Sequence, residues 1–132
     1  MKTTVKTESA PQAIGPYAQA IRVEGGASLL FTSGQIAMDP ETGALIDGDV
    51  RTQTRQVMEN LKSVLAAGES SLADVIKATI FLQDMNDFQA VNEVYGSYFD
   101  PEAVPARSTV EVRRLPKDVQ VEIDLVAVAR PS

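Results

Sequence analysis

The chain has 132 residues, 44% of them apolar and 23% charged, with a formal net charge of −6. That is the make-up of one globular domain, residues 1–132, and its acidity argues against a nucleic-acid partner, whose phosphates it would repel. Neither cysteine nor histidine occurs, which excludes disulfides, thiolate chemistry, the usual zinc sites, Ser-His-Asp catalysis and a ribonuclease built on paired imidazoles.

Any proton transfer therefore falls to Asp, Glu, Lys, Tyr or water. No apolar run is long enough to span a bilayer, and the N-terminal residues lack the apolar stretch of a signal peptide. The expectation is a soluble, cytoplasmic protein with no membrane partner.

Taken in order, residues 9–17 carry Pro11, Gly15 and Pro16 and read as an ordered loop that aims Tyr17. Residues 18–24 read as a strand with Ile21 and Val23 on one face. It turns at Gly25 and Gly26 into residues 28–35, expected to return as its antiparallel partner. Leu29, Leu30 and Phe31 are consecutive apolar residues, which points to cover on both faces. Gly34 marks a bulge, or a place where another group approaches the backbone closely.

After a turn at residues 39–43, Asp49 is the expected N-cap of a first helix, with Gly68 capping its other end. Val50, Val57, Met58, Leu61, Val64 and Leu65 fall at helical spacing and form its core stripe. Residues 75–82 follow as an almost wholly apolar strand, with Ile76, Ala78, Ile80 and Leu82 on one face and Val75 and Phe81 on the other. Asn86 is the expected cap of a second helix, in a capping box with Gln89. Its buried stripe is Phe88, Val91, Tyr95, Tyr98 and Phe99. Asn92 lies close to that stripe and needs partners for its oxygen and its NH2, for which nearby loop backbone is the plainer source.

Residues 104–112 and 121–125 alternate as strands. Val110 and Val112 point one way and Arg107, Thr109 and Glu111 the other; Val121, Ile123 and Leu125 share a face opposite Gln120, Glu122 and Asp124. If both aliphatic faces join the core, Arg107 and Glu122 emerge on one side of the sheet. A cation and a carboxylate so placed bind an anionic small molecule and move a proton on it, although a solvated face or a structural ion pair is the plainer reading of two strands alone.

The order of elements predicts an α+β, two-layer arrangement with two helices on one face of a mixed sheet. The other face also carries apolar residues that want burial, and a second copy of the chain is the expected cover.

These residues resemble a known family. Ala13-Ile14-Gly15-Pro16-Tyr17, Thr32-Ser33-Gly34-Gln35-Ile36, Asn86-Asp87-Phe88 with Val91-Asn92, Pro105-Ala106-Arg107-Ser108, and Leu115-Pro116-Lys117-Asp118 with Val121-Glu122 are similar, in order and spacing, to the reactive-intermediate deaminase (RidA) family. That family was earlier described as endoribonucleases or translation inhibitors.

The resemblance implies a chorismate-mutase-like fold assembled as a homotrimer, with sites between subunits and the final strand inserted between earlier ones. It implies hydrolysis of 2-imino acids, such as 2-iminobutanoate and 2-iminopropanoate released by pyridoxal-phosphate-dependent dehydratases, to 2-keto acids and ammonia, with neither metal nor organic cofactor.

By resemblance, Arg107 binds the substrate carboxylate, Glu122 positions and activates water, and the Thr109 carbonyl helps to hold that water. Tyr17 closes the site from a neighbouring subunit, while Asn92, Ser33 and Gly34 line it. Many relatives carry cysteine where this chain has Thr109, so thiol-based regulation is not expected. The alternatives are a keto-acid-binding or chaperone-like trimer without turnover, and an endoribonuclease.

Overall fold

The computed structural model describes residues 2–130. Six strands, β1 (Lys2–Val5), β2 (Ala20–Val23), β3 (Ser28–Phe31), β4 (Val75–Leu82), β5 (Ala106–Glu111) and β6 (Val121–Ala129), accompany two helices, α1 (Val50–Ala67) and α2 (Phe88–Gly96). Four strands form a mixed sheet in the order β3-β6-β4-β5. In it β6 runs antiparallel to both neighbours and β4 pairs in parallel with β5. The final strand thus lies inside the sheet, as the family resemblance implies. No described helix is long and apolar enough to cross a membrane.

The core lies between the sheet and the helices. Val57, Met58, Leu61 and Leu65 of α1, with Val91 and Tyr95 of α2, pack on Ala78, Ile80 and Leu82 of β4 and Val121, Ile123 and Leu125 of β6. Asp49 caps α1 as expected, its carboxylate accepting the Thr52 N–H at 2.9 Å. Thr54 is buried in that stripe and satisfies its hydroxyl by donating to the Val50 carbonyl at 2.6 Å, whereas Val64 stays at the surface.

Several local expectations fail for identifiable reasons. Gly68 ends α1 without a left-handed backbone; Glu69 takes that conformation, at φ 60°. Gly68 is needed instead for space, since a Cβ there would lie 2.6 Å from Leu30 Cδ2. Asn86 does not cap the second helix. It sits in a short 3-10 turn, Met85–Asp87, where the Asp84 carboxylate accepts the Asn86 N–H at 2.9 Å, and α2 starts at Phe88.

Gly25 and Gly26 do turn the chain, both at positive φ, but β2 and β3 do not form the expected hairpin. β2 pairs with β1, and β3 pairs with β6. The threonine-rich β1 has no apolar alternation to announce it, yet its backbone satisfies the edge of β2. A register shift between Val75 and Lys77 turns Val75, instead of Ile76, onto the covered face beside Ala78.

The face turned away from the helices carries Phe31 and Leu29, 69% and 49% exposed, and Val110, 42% exposed. Single exposed apolar side chains are ordinary, but a sheet face bearing several from separate strands is a surface suited to association.

Candidate functional site

Arg107 belongs to the covered face. Its register partner is Ala78, and the next outward step, Thr109, pairs with Ile80; both partners are core residues. Because β5 is an edge strand, the arginine stands at the margin of the helical layer, where α2 and the loop before β2 surround it. Its guanidinium carbon lies 5.3 Å from the Tyr17 ring centroid, 5.7 Å from that of Phe88 and 5.4 Å from that of Tyr95. These are distances at which ring faces attract a cation.

Nη1 donates to Asn92 Oδ1, so the amide has a side-chain partner rather than loop backbone. Phe88, Asn92 and Tyr95 are spaced i, i+4, i+7 and share one face of α2. Burial draws the guanidinium below its ordinary pKa, and Tyr95 and Tyr17 oppose that; an arginine keeps its charge nonetheless.

The loop that delivers Tyr17 is held by its own hydrogen bonds. The Tyr17 N–H donates to the Gly15 carbonyl at 2.7 Å, and the Ile14 N–H donates to Tyr17 Oη at 3.3 Å. Gln19 clamps the preceding turn, accepting the Thr7 N–H at 2.7 Å and donating to the Pro11 carbonyl at 2.7 Å. A Cβ on Gly15 would lie 3.7 Å from Arg107 Nη2. Tyr17 therefore covers the arginine of its own chain. Thr109 Oγ1 and Tyr95 Oη are buried without a partner among the described residues, and burial raises the Tyr95 phenol above its ordinary range.

Glu122 occupies the other face. It pairs with Phe81 on β4, one step out of phase with the buried Val121 and Ile123. Beyond β3 the chain continues along β6 with one residue too many. The Thr32 N–H reaches the Leu125 carbonyl at 2.9 Å, and Gln35 exchanges bonds with Ile123 at 2.8 and 3.1 Å. Ser33 and Gly34 form the bulge between them. A Cβ on Gly34 would lie 2.2 Å from Glu122 Oε2, so glycine leaves the room that this carboxylate fills. Both readings of Gly34 from the sequence hold together here. Burial raises the Glu122 pKa, with the nearby Asp124 charge adding to it.

Arg107 and Glu122 therefore lie on opposite faces of the sheet, and the expectation that they share one is wrong. Their registers place them two strands and three residues apart, about 10 Å in each direction before the thickness of the sheet is added. Alternation correctly grouped the residues of each strand, but it did not say which group meets the core. On β5 the polar group does, because an aromatic cage receives the arginine, while Val110 faces outward. Sequence reading also missed Phe88 and Tyr95 as arginine contacts, treating them only as core stripe; their helical phase with Asn92 was the available signal.

The structure thus brings together Tyr17, Asn92 and Arg107 as one cluster, with Thr109 next in line on β5. Ser33, Gly34 and Glu122 make the other. A caged, charged fork thus stands on one side of the sheet and a carboxyl of raised pKa on the other. The comparisons with known proteins place the chain in a family. The family described as Endoribonuclease L-PSP matches residues 7–129.

Similar proteins include a RutC family protein of Pyrococcus horikoshii, 54% identical and covering 96% of this chain and 98% of its own. The 2-iminobutanoate/2-iminopropanoate deaminase of Salmonella typhimurium is 47% identical, covering 98% of this chain and all (100%) of its own. Among solved structures, Escherichia coli TdcF with bound serine is 46% identical with a TM-score of 0.72, covering 97% of this chain and 99% of its own. The chain belongs to the reactive-intermediate deaminase (RidA) family.

Proposed function

We propose that the protein is a 2-iminobutanoate/2-iminopropanoate deaminase, working as a homotrimer whose sites lie between copies of the chain. The observation that carries this reading is the Arg107 cage. A rigid fork is held by three rings and Asn92, while its remaining N–H groups have no protein partner among the described residues. Such a fork binds a carboxylate through parallel charge-assisted bonds. The identity to the Salmonella deaminase supports the choice of an imine beside that carboxylate.

In this reading the Arg107 half-site of one copy faces the Glu122 half-site of the next, and the apolar open face is the surface they bury. Tyr17 and Asn92 hold the arginine, and the Ser33–Gly34 backbone flanks the ligand. With the carboxylate fixed, the adjacent C=N carbon is presented to a water held by Glu122 and the Thr109 carbonyl. The water oxygen forms a bond to that carbon while Glu122 takes its proton. Glu122 returns that proton to nitrogen, giving a carbinolamine; it then takes the hydroxyl proton and passes it to the same nitrogen as the C–N bond breaks, so that the C=O forms and ammonia leaves the 2-keto acid. The raised proton affinity of Glu122 suits a group that must both accept and return a proton. No step calls for a metal or an organic cofactor, and the site of action is the cytoplasm.

A coupled assay tests the proposal. Threonine or serine dehydratase is supplied with its substrate, and keto-acid release is followed with and without this protein. Acceleration is expected; an unchanged rate with both substrates rejects the assignment. Glu122→Gln separates an enzyme from a keto-acid-binding or chaperone-like trimer, because the enzyme loses hydrolysis while retaining keto-acid binding.

A further inference from the structure

Asp124 is the acid of the open face that the proposed chemistry leaves unused. It stands two residues from Glu122 on β6, with Thr79 as its register partner where Glu122 has Phe81. Alternate residues of a strand share a face and lie about 7 Å apart. Neither carboxylate forms an ion pair among the described residues.

The groups facing them from other elements are few. β3 and the bulge after it offer Phe31, Ser33 and Gly34, and β5 offers Ser108 and Val110. The cation contributed by β4 is Lys77, whose ammonium donates to Ser108 Oγ at 2.9 Å. In the assembled site the guanidinium of a second copy's Arg107 would also approach and would weaken Glu122 as a base.

We propose that Asp124 is a positioning residue whose unpaired like charge keeps Glu122 a strong enough base to work beside the substrate-binding guanidinium. The inference rests on Glu122 as the proton-transfer group. Burial raises the pKa of Asp124 itself, and the Asp124 charge is the second cause, after burial, of the rise at Glu122. A carboxylate opposite a guanidinium would otherwise be driven toward permanent ionisation, and an over-stabilised carboxylate takes a proton from water poorly.

The test uses the full-length protein as wild type, Asp124→Asn, Asp124→Glu and Glu122→Gln. The side-chain carboxyl of Glu122 is titrated by carbon-13 NMR, assigned by its loss in Glu122→Gln, and the pH profile of imine hydrolysis is recorded alongside. In Asp124→Asn the Glu122 midpoint moves to lower pH. The acid limb of the rate moves the same way, and plateau kcat falls roughly three- to tenfold because a weaker base abstracts the proton. Asp124→Glu restores both.

Those opposed movements, wider acid tolerance with a lower plateau, do not arise from general structural damage, which lowers the rate at every pH. A Glu122 midpoint unmoved in Asp124→Asn overturns the proposal. If that midpoint moves while Glu122→Gln still hydrolyses imine, Asp124 tunes Glu122 as stated and it is the catalytic reading of Glu122 that fails.

Discussion

The two faces of the central sheet both carry apolar residues but have different fates. On the covered face Val121, Ile123, Leu125 and Ala127 are at most 1% exposed, and the charge admitted there at Arg107 is enclosed by aromatic rings and an amide. On the open face Phe31 and Val110 lie in solvent beside two carboxyls of raised pKa. The covered face is finished within one chain, and the open face is not. On the proposed reading, a reaction that uses both Arg107 and Glu122 draws them from two chains, because register puts them on opposite faces of one sheet.

That contrast is open to direct attack. The largest effect is expected from Arg107→Ala, which should lower kcat/KM about a thousandfold by removing the charge-assisted fork. Keto-acid binding, read by calorimetry, should disappear with it. Mixing is sharper. Arg107→Ala and Glu122→Gln chains, each inactive alone, are denatured and refolded together; if each site draws one residue from each of two copies, about a quarter of the sites regain both groups. Assay of the mixture should show that recovery, and none would mean that both groups serve a site within one chain.

Gly34→Ala probes the open half by itself. Its Cβ would displace the Glu122 carboxylate, and misplacement on the order of 1 Å is expected to lower kcat about a hundredfold with little change in keto-acid affinity. Steady-state kinetics beside a binding titration would separate the two.

The smallest effect lies far from either face, at the α1 cap. Hydrogen bonding from Thr52, backbone first, holds the Asp49 pKa below its ordinary value. The cap therefore stabilises the fold above the unfolded carboxylate range and loses that contribution as pH falls through the lower, folded value. Asp49→Ala should melt earlier than wild type at neutral pH, with the gap closing in acid, as followed by circular dichroism.

Much of the fold was legible because, at the residues that build it, one local physical effect outweighs the others. The α1 stripe follows helical period and is buried nearly as expected. Asp49 caps because a short carboxylate before an amphipathic run has a fixed geometric partner. Gly34 marked the bulge because only glycine accommodates the group that packs there. β1 was illegible: Thr3 and Thr4 carry no apolar signal, and the strand exists because β2 has an edge to satisfy. The site was legible as a set of residues and illegible as an arrangement.

By itself the sequence determined the helix stripes, the alternation of β5 and β6, the absence of imidazole and thiol, and the family motifs that name Arg107 and Glu122. Only the tertiary structure decided which side of β5 meets the helices, because an edge strand's orientation is set by what its neighbours offer, here Phe88, Asn92, Tyr95 and Tyr17. That choice, made by long-range packing and not by local pattern, puts the guanidinium and the carboxylate on opposite faces of one sheet.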